Sequence, residues 1–173
     1  MNMDREIWTV GHSNKGFQDF LGLLKEFEIE ILVDVRSFPG SRKFPWFNKE
    51  YLAENLPSGG IEYCLIKNLG GRKKVKPDSH NTAWENPQFR GYADYMETPA
   101  FLEGINELIS HASQKSTAYM CSEVLWWRCH RSMISDYLKL KGWKVIHIIG
   151  KNKTEEHPYT KPAKIINDRL DYS

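Results

Sequence analysis

Five short apolar runs alternate along the chain with segments in which apolar residues recur at helical spacing. The apolar runs lie at residues 7–10, 31–35, 61–66, 117–121 and 144–149. The helical spacing lies at residues 17–27, 48–56, 101–112 and 133–140. Strands that alternate with helices are typical of a parallel sheet covered by helices on both faces, with right-handed crossovers. The pattern therefore predicts a three-layer α/β/α domain with a mainly parallel, five-stranded sheet.

Two further segments follow neither period. Residues 77–98 are long for an irregular connection, which predicts a functional loop or lid. Residues 150–173 are polar apart from the pair Ile165-Ile166, and we expect them to pack as a C-terminal strap. With 173 residues the chain has the size of one ordinary domain, so a single domain over residues 1–173 is predicted.

The composition narrows the class of protein only a little. The 24 Lys and Arg residues nearly balance the 22 Asp and Glu residues, so net charge favours no kind of partner. The N-terminus has no apolar signal run, and no segment approaches the roughly 20 apolar residues of a membrane span. We therefore expect a cytoplasmic protein with no membrane partner. The three cysteines, Cys64, Cys121 and Cys129, are odd in number, which favours reduced thiols over structural disulfides.

The residues that could carry chemistry follow predicted strands. The loops begin with Gly11-His12-Ser13, Asp34-Val35-Arg36, Gly70-Gly71-Arg72 and the segment 121–131. Because parallel strands end at the same edge of a sheet, where ligands bind in such folds, these loops should converge on one cleft. The segment 121–131 joins a strand to the start of a helix, which is a general arrangement for holding an anion or lowering the pKa of a thiol. We expect an anionic substrate.

The segment 121–131 holds the candidate reactive groups. Cys121 could be a nucleophile with Glu123 as its acid or base, although free cysteines at strand ends are commonly small core residues. His130 and His12 are candidate hydrogen-bonding or acid/base groups, and Cys129 is interpreted as a core residue. The spacing of these cysteines and histidines is poor for zinc, so no metal and no cofactor are predicted.

Cations and aromatic rings supply candidate binding groups. Arg36, Arg42, Arg72 and Arg131 each lie on a loop after a strand and could form a cationic rim for phosphates, together with Ser13. Asp34 lies inside an apolar strand, where a lone carboxylate needs donors, so it is predicted to organise the site. Trp126 and Trp127 could stack on a base or could pack a lid. A nucleotide or a nucleic acid is thus a candidate partner.

The same residues resemble a known family, the DUF488 domains of unknown function. The most specific matching element is Cys121-Ser122-Glu123 followed by Cys129-His130-Arg131. The other matching pieces are residues 9–13, Asp34-Val35-Arg36 with Pro39 and Ser41-Arg42, residues 69–71, residues 89–95, and the tail around His157, Thr160 and Tyr172. The resemblance implies a fold and no reaction.

A weaker resemblance is to the rhodanese-type domain, within a rhodanese- or flavodoxin-like fold. Asp34 at a strand end and Cys121 at the end of a late strand occupy matching places in that order. In a rhodanese loop the arginine follows the cysteine within a few residues, whereas ten positions separate Cys121 from Arg131. This departure makes sulfur transfer an alternative.

Three functions remain open on the sequence. The first is an enzyme acting on a phosphate-bearing, nucleotide-like or nucleic-acid substrate, with Glu123, Cys121, His130 and His12 as candidate reactive groups. The second is a rhodanese-like thiol enzyme that carries sulfur or a phosphoryl group on Cys121. The third is a non-catalytic module that binds a nucleotide or nucleic acid.

Overall fold

A computed structural model describes residues 5–173. The five predicted strands and the four predicted helices alternate along the chain as the apolar pattern requires. The strands are β1 (Glu6–Gly11), β2 (Ile31–Asp34), β3 (Glu62–Leu65), β4 (Thr117–Cys121), β5 (Lys144–Gly150), β6 (Lys153–Glu156), β7 (Lys164–Ile166) and β8 (Arg169–Asp171). The α-helices are α1 (Phe17–Glu26), α2 (Lys49–Asn55), α3 (Pro87–Tyr95), α4 (Pro99–Gln114) and α5 (Arg131–Leu140). Single turns of 3-10 helix lie at residues 45–47, 57–59, 67–69 and 126–128.

The main sheet has the strand order β3-β2-β4-β1-β5-β6. The first five strands of that order pair in parallel, and β6 pairs antiparallel with β5. Strands β7 and β8 form a separate antiparallel pair. The mainly parallel α/β sheet is confirmed, but the count of five strands is wrong because β6 was not predicted. All four residues of β6 are exposed, so this edge strand carries no apolar pattern.

Two hydrophobic cores cover the two faces of the sheet. Helices α3, α4 and α5 pack on one face through a cluster that includes Tyr92, Phe101 and Ile134. Helices α1 and α2 pack on the other face through a cluster that includes Phe20 and Leu52. Each cluster takes in alternate residues of the strands, and the result is the predicted three-layer arrangement. No helix in residues 5–173 is long and apolar enough to cross a bilayer.

The two central strands set the position of the site. The connection from β1 runs through α1 to β2, and the connection from β4 runs through α5 to β5, so the two leave the sheet in opposite directions. The carboxyl ends of such strands border a natural crevice. Past the end of β1, the amide of His12 donates to Cys121 O at 3.0 Å and that of Ser13 donates to Ser122 O at 2.9 Å.

Gly11 allows this close approach of the two loops. A Cβ atom at this position would lie 1.7 Å from the carbonyl oxygen of Glu123. Only glycine leaves room for the backbone of the segment that follows β4.

The two segments that showed no periodicity also contain regular structure: α3 lies within residues 77–98, and the C-terminal strap contains β6, β7 and β8. Helix α3 begins at Pro87, and the side chain of Asn86 accepts a hydrogen bond from the amide of Gln88 at 2.8 Å.

Candidate functional site

A cleft with a volume of about 730 Å³ opens at the carboxyl ends of β1, β2, β3 and β4. The structure brings seven of the predicted site residues to its wall: His12, Ser13, Arg36, Arg72, Cys121, Glu123 and His130. Sequence reasoning did not assign Phe38, Arg128 or Cys129 to the site, and all three also line the cleft. Asp34 and Arg131 lie behind the wall, in contact with residues that form it.

Asp34 and Arg36 form a buried ion pair beneath the cleft. The Nε and Nη2 atoms of Arg36 donate to the two carboxylate oxygens at 2.8 Å and 2.7 Å, and Tyr63 Oη donates to Asp34 Oδ2 at 2.6 Å. Arg36 Nη2 also donates to Phe47 O at 2.7 Å. Asp34 is fully buried, so its carboxylate organises the ends of β2 and β3. The donors of Arg36 are largely used inside the protein, which leaves little of this guanidinium for a ligand.

His12 is held as a neutral imidazole. Its Nδ1 lies 2.8 Å from Ser13 O, and its Nε2 lies 3.3 Å from Arg36 Nη1. A carbonyl only accepts and a guanidinium only donates, so Nδ1 carries the proton and Nε2 presents its lone pair. The ring stacks on Phe47 with centroids 4.1 Å apart. Burial lowers the pKa of His12 to about 4, and the positive charge of Arg36 adds to that effect.

Arg131 is fully buried and contacts both cysteine sulfurs of the site. Its Nε donates to Cys121 Sγ at 3.0 Å and to Cys129 Sγ at 3.4 Å. Its Nη1 donates to Thr9 Oγ1 at 2.9 Å, and its Nη2 donates to the carbonyl oxygens of Glu123 and Val124. None of the ion pairs formed within residues 5–173 includes Arg131. The guanidinium therefore faces thiols and carbonyls, and it does not reach the cleft itself.

The two sulfurs are in contact, and each changes the pKa of the other thiol. Cys121 Sγ and Cys129 Sγ lie 2.8 Å apart. Burial and the neighbouring Cys129 raise the pKa of Cys121 well above its usual value. Burial opposes ionisation of Cys129 as well, but the hydrogen bond from Cys121 and the charge of Arg131 outweigh it and lower the pKa of Cys129 well below the usual range. The two thiols therefore titrate as a coupled pair, in which Cys129 loses its proton more readily than Cys121.

His130 and Glu123 present free polar atoms to the same cleft. His130 Nε2 lies 2.6 Å from Val35 O, so this nitrogen carries the proton. Burial lowers the pKa of His130, and the imidazole is neutral with Nδ1 as an acceptor. Among residues 5–173, neither Nδ1 of His130 nor the side chain of Glu123 has a hydrogen-bond partner. Both groups are available to a bound molecule.

A buried chain of hydrogen bonds extends from Arg131 to a second carboxylate. Thr9 Oγ1 lies 2.6 Å from His147 Nδ1, and His147 Nε2 lies 2.8 Å from His157 Nδ1. His157 Nε2 then lies 2.8 Å from Asp136 Oδ1. Because Asp136 accepts at one end and Arg131 donates at the other, every proton in the chain points towards Asp136. Burial, followed by the charges of His157 and Arg131, lowers the pKa of His147 to about 2.

Sequence reasoning missed this chain, although two signals pointed to it. Asp136 lies three residues after Met133 and four before Leu140, so a carboxylate occupies the apolar face of α5. His147 interrupts the apolar run of β5. The tail completes the arrangement, because Thr160 Oγ1 and Tyr172 Oη donate to Asp136 Oδ2 at 2.6 Å and 2.8 Å. A buried polar network of this kind is satisfied at every member.

Besides Arg131, the structure leaves three predicted binding residues out of the cleft wall. Arg42 is exposed on the loop after β2 and does not line the cleft. Trp126 is buried, stacks on His147 with centroids 4.6 Å apart, and donates from Nε1 to Glu155 Oε1 at 3.0 Å. Trp127 is exposed and also does not line the cleft. Four other aromatic residues do line it, Phe38, Phe44, Phe89 and Tyr92, and Phe38 is the most exposed of them at 69%.

Potential metal ligands group at a different place. Among residues 5–173, the only three such side chains with ligand atoms within 4.8 Å of one another are Cys64, Glu107 and His111. None of these three lines the cleft. The cysteines and histidines of the cleft are instead engaged with carbonyls, arginines and each other.

Taken together, the molecule is an α/β protein with a thiol pair and a buried guanidinium beneath a polar cleft at the carboxyl ends of its parallel strands. A family model described as "Domain of unknown function DUF488" matches residues 16–138, which is more than half of the chain. The chain belongs to this family, as its motifs predict. Comparison with curated proteins and comparison with solved structures each gave no match.

Proposed function

We propose that the protein is an enzyme that uses the Cys129 thiolate as a nucleophile on an anionic substrate bound in the cleft. The observation that carries this proposal is the buried guanidinium of Arg131. A buried charge without a partner costs several kcal/mol, and among residues 5–173 no carboxylate pairs with Arg131. A thiolate on the cysteine pair supplies the missing negative charge. The proposal moves the nucleophile from Cys121, where the sequence suggested it, to Cys129.

Exposure supports Cys129 as the attacking sulfur. Both cysteines line the cleft, but Cys121 is only 3% exposed, whereas Cys129 is half-buried and ionises more readily. In the proposed first step, the Cys129 sulfur forms a bond to an electrophilic centre of the substrate, and the leaving group departs with its electron pair. In the second step, the oxygen of a water or alcohol bonds to the same centre while His130 Nδ1 accepts its proton, and the bond to Cys129 Sγ breaks with return of the electron pair to the sulfur.

The rim of the cleft supports an anionic substrate with a flat ring. Arg72 and Arg128 are exposed on the wall, and the guanidinium of Arg72 lies 5.1 Å from the centroid of the Phe38 ring. An exposed aromatic ring beside a cation suits a phosphate joined to a base, as in a nucleotide or an unstacked base of a strand. Phe38 takes the stacking role that the sequence assigned to Trp126 and Trp127. We therefore propose a nucleotide-like substrate.

Alkylation tests the thiolate. Iodoacetamide should modify Cys129 at pH 7. The pH at which the rate reaches half of its maximum should lie well below that of an ordinary cysteine, and Cys129→Ser should abolish the reaction. Cys64 is an internal control, because burial and Glu107 raise the pKa of its thiol to about 11. Equal labelling of Cys64 and Cys129 at pH 7 would refute a thiolate at the site and favour a non-catalytic binding module.

Equilibrium binding tests the substrate class. Affinity for inorganic phosphate, ribose phosphate and a mononucleotide should rise in that order, and Phe38→Ala should remove most of the gain that the base provides. Base stacking is worth roughly 1–3 kcal/mol, so the expected loss is about 5- to 150-fold. Trp127→Ala is the matched control and should change nothing. If the base adds no affinity, the substrate is a small oxyanion or a sulfur compound, as in the rhodanese-like alternative.

A further inference from the structure

The two sulfurs of the site are placed to react with each other. Cys121 ends β4 and Cys129 comes two residues before α5, and the loop between them returns the chain to the same point. Their Sγ atoms are 2.8 Å apart, and both residues line the cleft. We propose that Cys121 and Cys129 are a dithiol–disulfide couple that exchanges with small anionic disulfides entering the cleft. This inference rests on the proposed nucleophile at Cys129 and gives Cys121 a role as the resolving thiol.

The exchange takes place in two balanced steps. The Cys129 thiolate attacks one sulfur of the incoming disulfide, so a mixed disulfide forms on Cys129 and one thiolate leaves. Cys121 then attacks the Cys129 sulfur, which forms the Cys121–Cys129 disulfide and expels the second thiolate, and the proton of Cys121 passes to a departing thiolate. The protein is oxidised by two electrons and the small disulfide is reduced to two thiols. A small thiol reverses both steps.

Arg131 determines which side of this equilibrium is favoured. In the reduced state the guanidinium faces a thiolate, with Nε 3.0 Å and 3.4 Å from the two sulfurs. Oxidation removes that negative charge and leaves a fully buried guanidinium beside a neutral disulfide. A dithiol whose reduced form is stabilised in this way yields a disulfide that is readily reduced. The pair should therefore be an oxidant compared with the structural disulfides of secreted proteins.

The stability of the wild-type protein in urea should show the same preference for the reduced form of the cysteine pair. Disulfides commonly stabilise a fold by restricting the unfolded chain. Here the loop that the disulfide would close is short, so this stabilisation is small. Oxidation also removes the negative partner of the buried Arg131 charge. The reduced protein should therefore resist urea better than the oxidised protein. A higher urea midpoint for the oxidised form would refute the role of Arg131 without any substitution. Arg131→Lys, which keeps the charge and loses the fork of donors, should narrow the difference between the two forms.

Oxidised glutathione tests the Cys121–Cys129 couple, because it is a small disulfide that carries net negative charge. After treatment with a large excess of oxidised glutathione, which drives the pair towards the disulfide, and capture of the remaining thiols, mass spectrometry should find wild-type protein with Cys121 joined to Cys129 and no glutathione attached. Cys121→Ser should keep glutathione on Cys129, and Cys129→Ser should carry none at either position. Cys64→Ser is the matched control and should behave as wild type.

Two outcomes would overturn the couple, and they are distinct from failure of the proposed function. A stable glutathione adduct on Cys129 of the wild type would show that Cys121 does not resolve it. Absence of both adduct and disulfide, in protein whose Cys129 reacts rapidly with iodoacetamide, would reject the exchange and leave the nucleophile intact. Absence of the iodoacetamide reaction as well would reject the nucleophile and the couple together.

Discussion

Replacement of Asp34 by alanine should destabilise the protein much more than an ordinary surface substitution. The carboxylate is fully buried and accepts two side-chain hydrogen bonds from Arg36 and one from Tyr63. It also accepts the amide of Arg36 at 3.1 Å. Without it, a guanidinium that is only 8% exposed loses its counter-charge, and a tyrosine hydroxyl loses its acceptor.

The expected magnitude follows from the cost of leaving a buried charge without its partner. Removal of one member of a buried ion pair costs roughly 3–5 kcal/mol. For a chain of this length each kcal/mol lowers Tm by about 2–4 °C, so Asp34→Ala should melt about 6–20 °C below the wild type. Asp34→Asn keeps the shape of the side chain and loses its charge, so its Tm should lie between those of the wild type and Asp34→Ala.

A double-mutant cycle measured by thermal and urea unfolding provides the test. Arg36→Leu combined with Asp34→Ala removes both charges, so the double variant should be more stable than the sum of the single changes implies, by at least about 1 kcal/mol. Asp78→Ala, an exposed aspartate in the segment 77–98, is the matched control and should be nearly neutral. Additive effects in the cycle, or an unchanged Tm for Asp34→Ala, would refute the assignment of Asp34 as the organiser of these strand ends.

Three further changes test other parts of the site. Gly11→Ala should sharply lower stability and the alkylation of Cys129, because the new Cβ would lie 1.7 Å from Glu123 O; Gly22→Ala, which meets nothing within 4 Å, is the control. Because the pKa of His12 is about 4 when folded and 6.5 when unfolded, the unfolded state binds the proton first as pH falls, so this residue should lower urea stability between pH 6.5 and 4 by up to roughly 3 kcal/mol. His12→Gln should remove that share and leave the part that His130 and His147 contribute, and an unchanged slope would contradict the assignment. Trp126→Ala should destabilise the fold through the loss of its stacking on His147, and comparable melting of Trp126→Ala and wild type would count against that packing.

The parallel strands could be predicted because burial on both sides makes them continuous apolar runs. Strands β2 and β4 are buried at every residue, and both are found where the sequence indicates them. Strand β6 and the β7–β8 pair are exposed at most positions, so their residues follow no two-residue period. Helix α3 is nine residues long, and its start was marked only by Asn86-Pro87. Local capping was thus a better signal there than periodicity.

The convergence of the loops could also be predicted, because it follows from strand direction alone. The roles within the cleft could not, since they depend on which donors are used internally. Arg131 was expected on a cationic rim, but Gly11 lets the segment after β4 fold against β1 and enclose the guanidinium. Contacts between residues distant in sequence, such as that of His157 with Asp136, have no periodic signature. Their only sign was a polar residue at an apolar position.

The hydrogen-bond chain between Arg131 and Asp136 joins parts of the chain that are synthesised at different times, and we expect this to affect the order of folding during synthesis. Thr9 is made early, whereas His157, Thr160 and Tyr172, which surround Asp136, are made late. A nascent chain that has released both cysteines from the ribosome still lacks these donors, and α5 carries a carboxylate on its apolar face that nothing satisfies. We therefore expect α5, and with it the site, to dock stably only after residue 172 has emerged. Translation stalled before that point should yield a chain that chaperones recognise as unfinished.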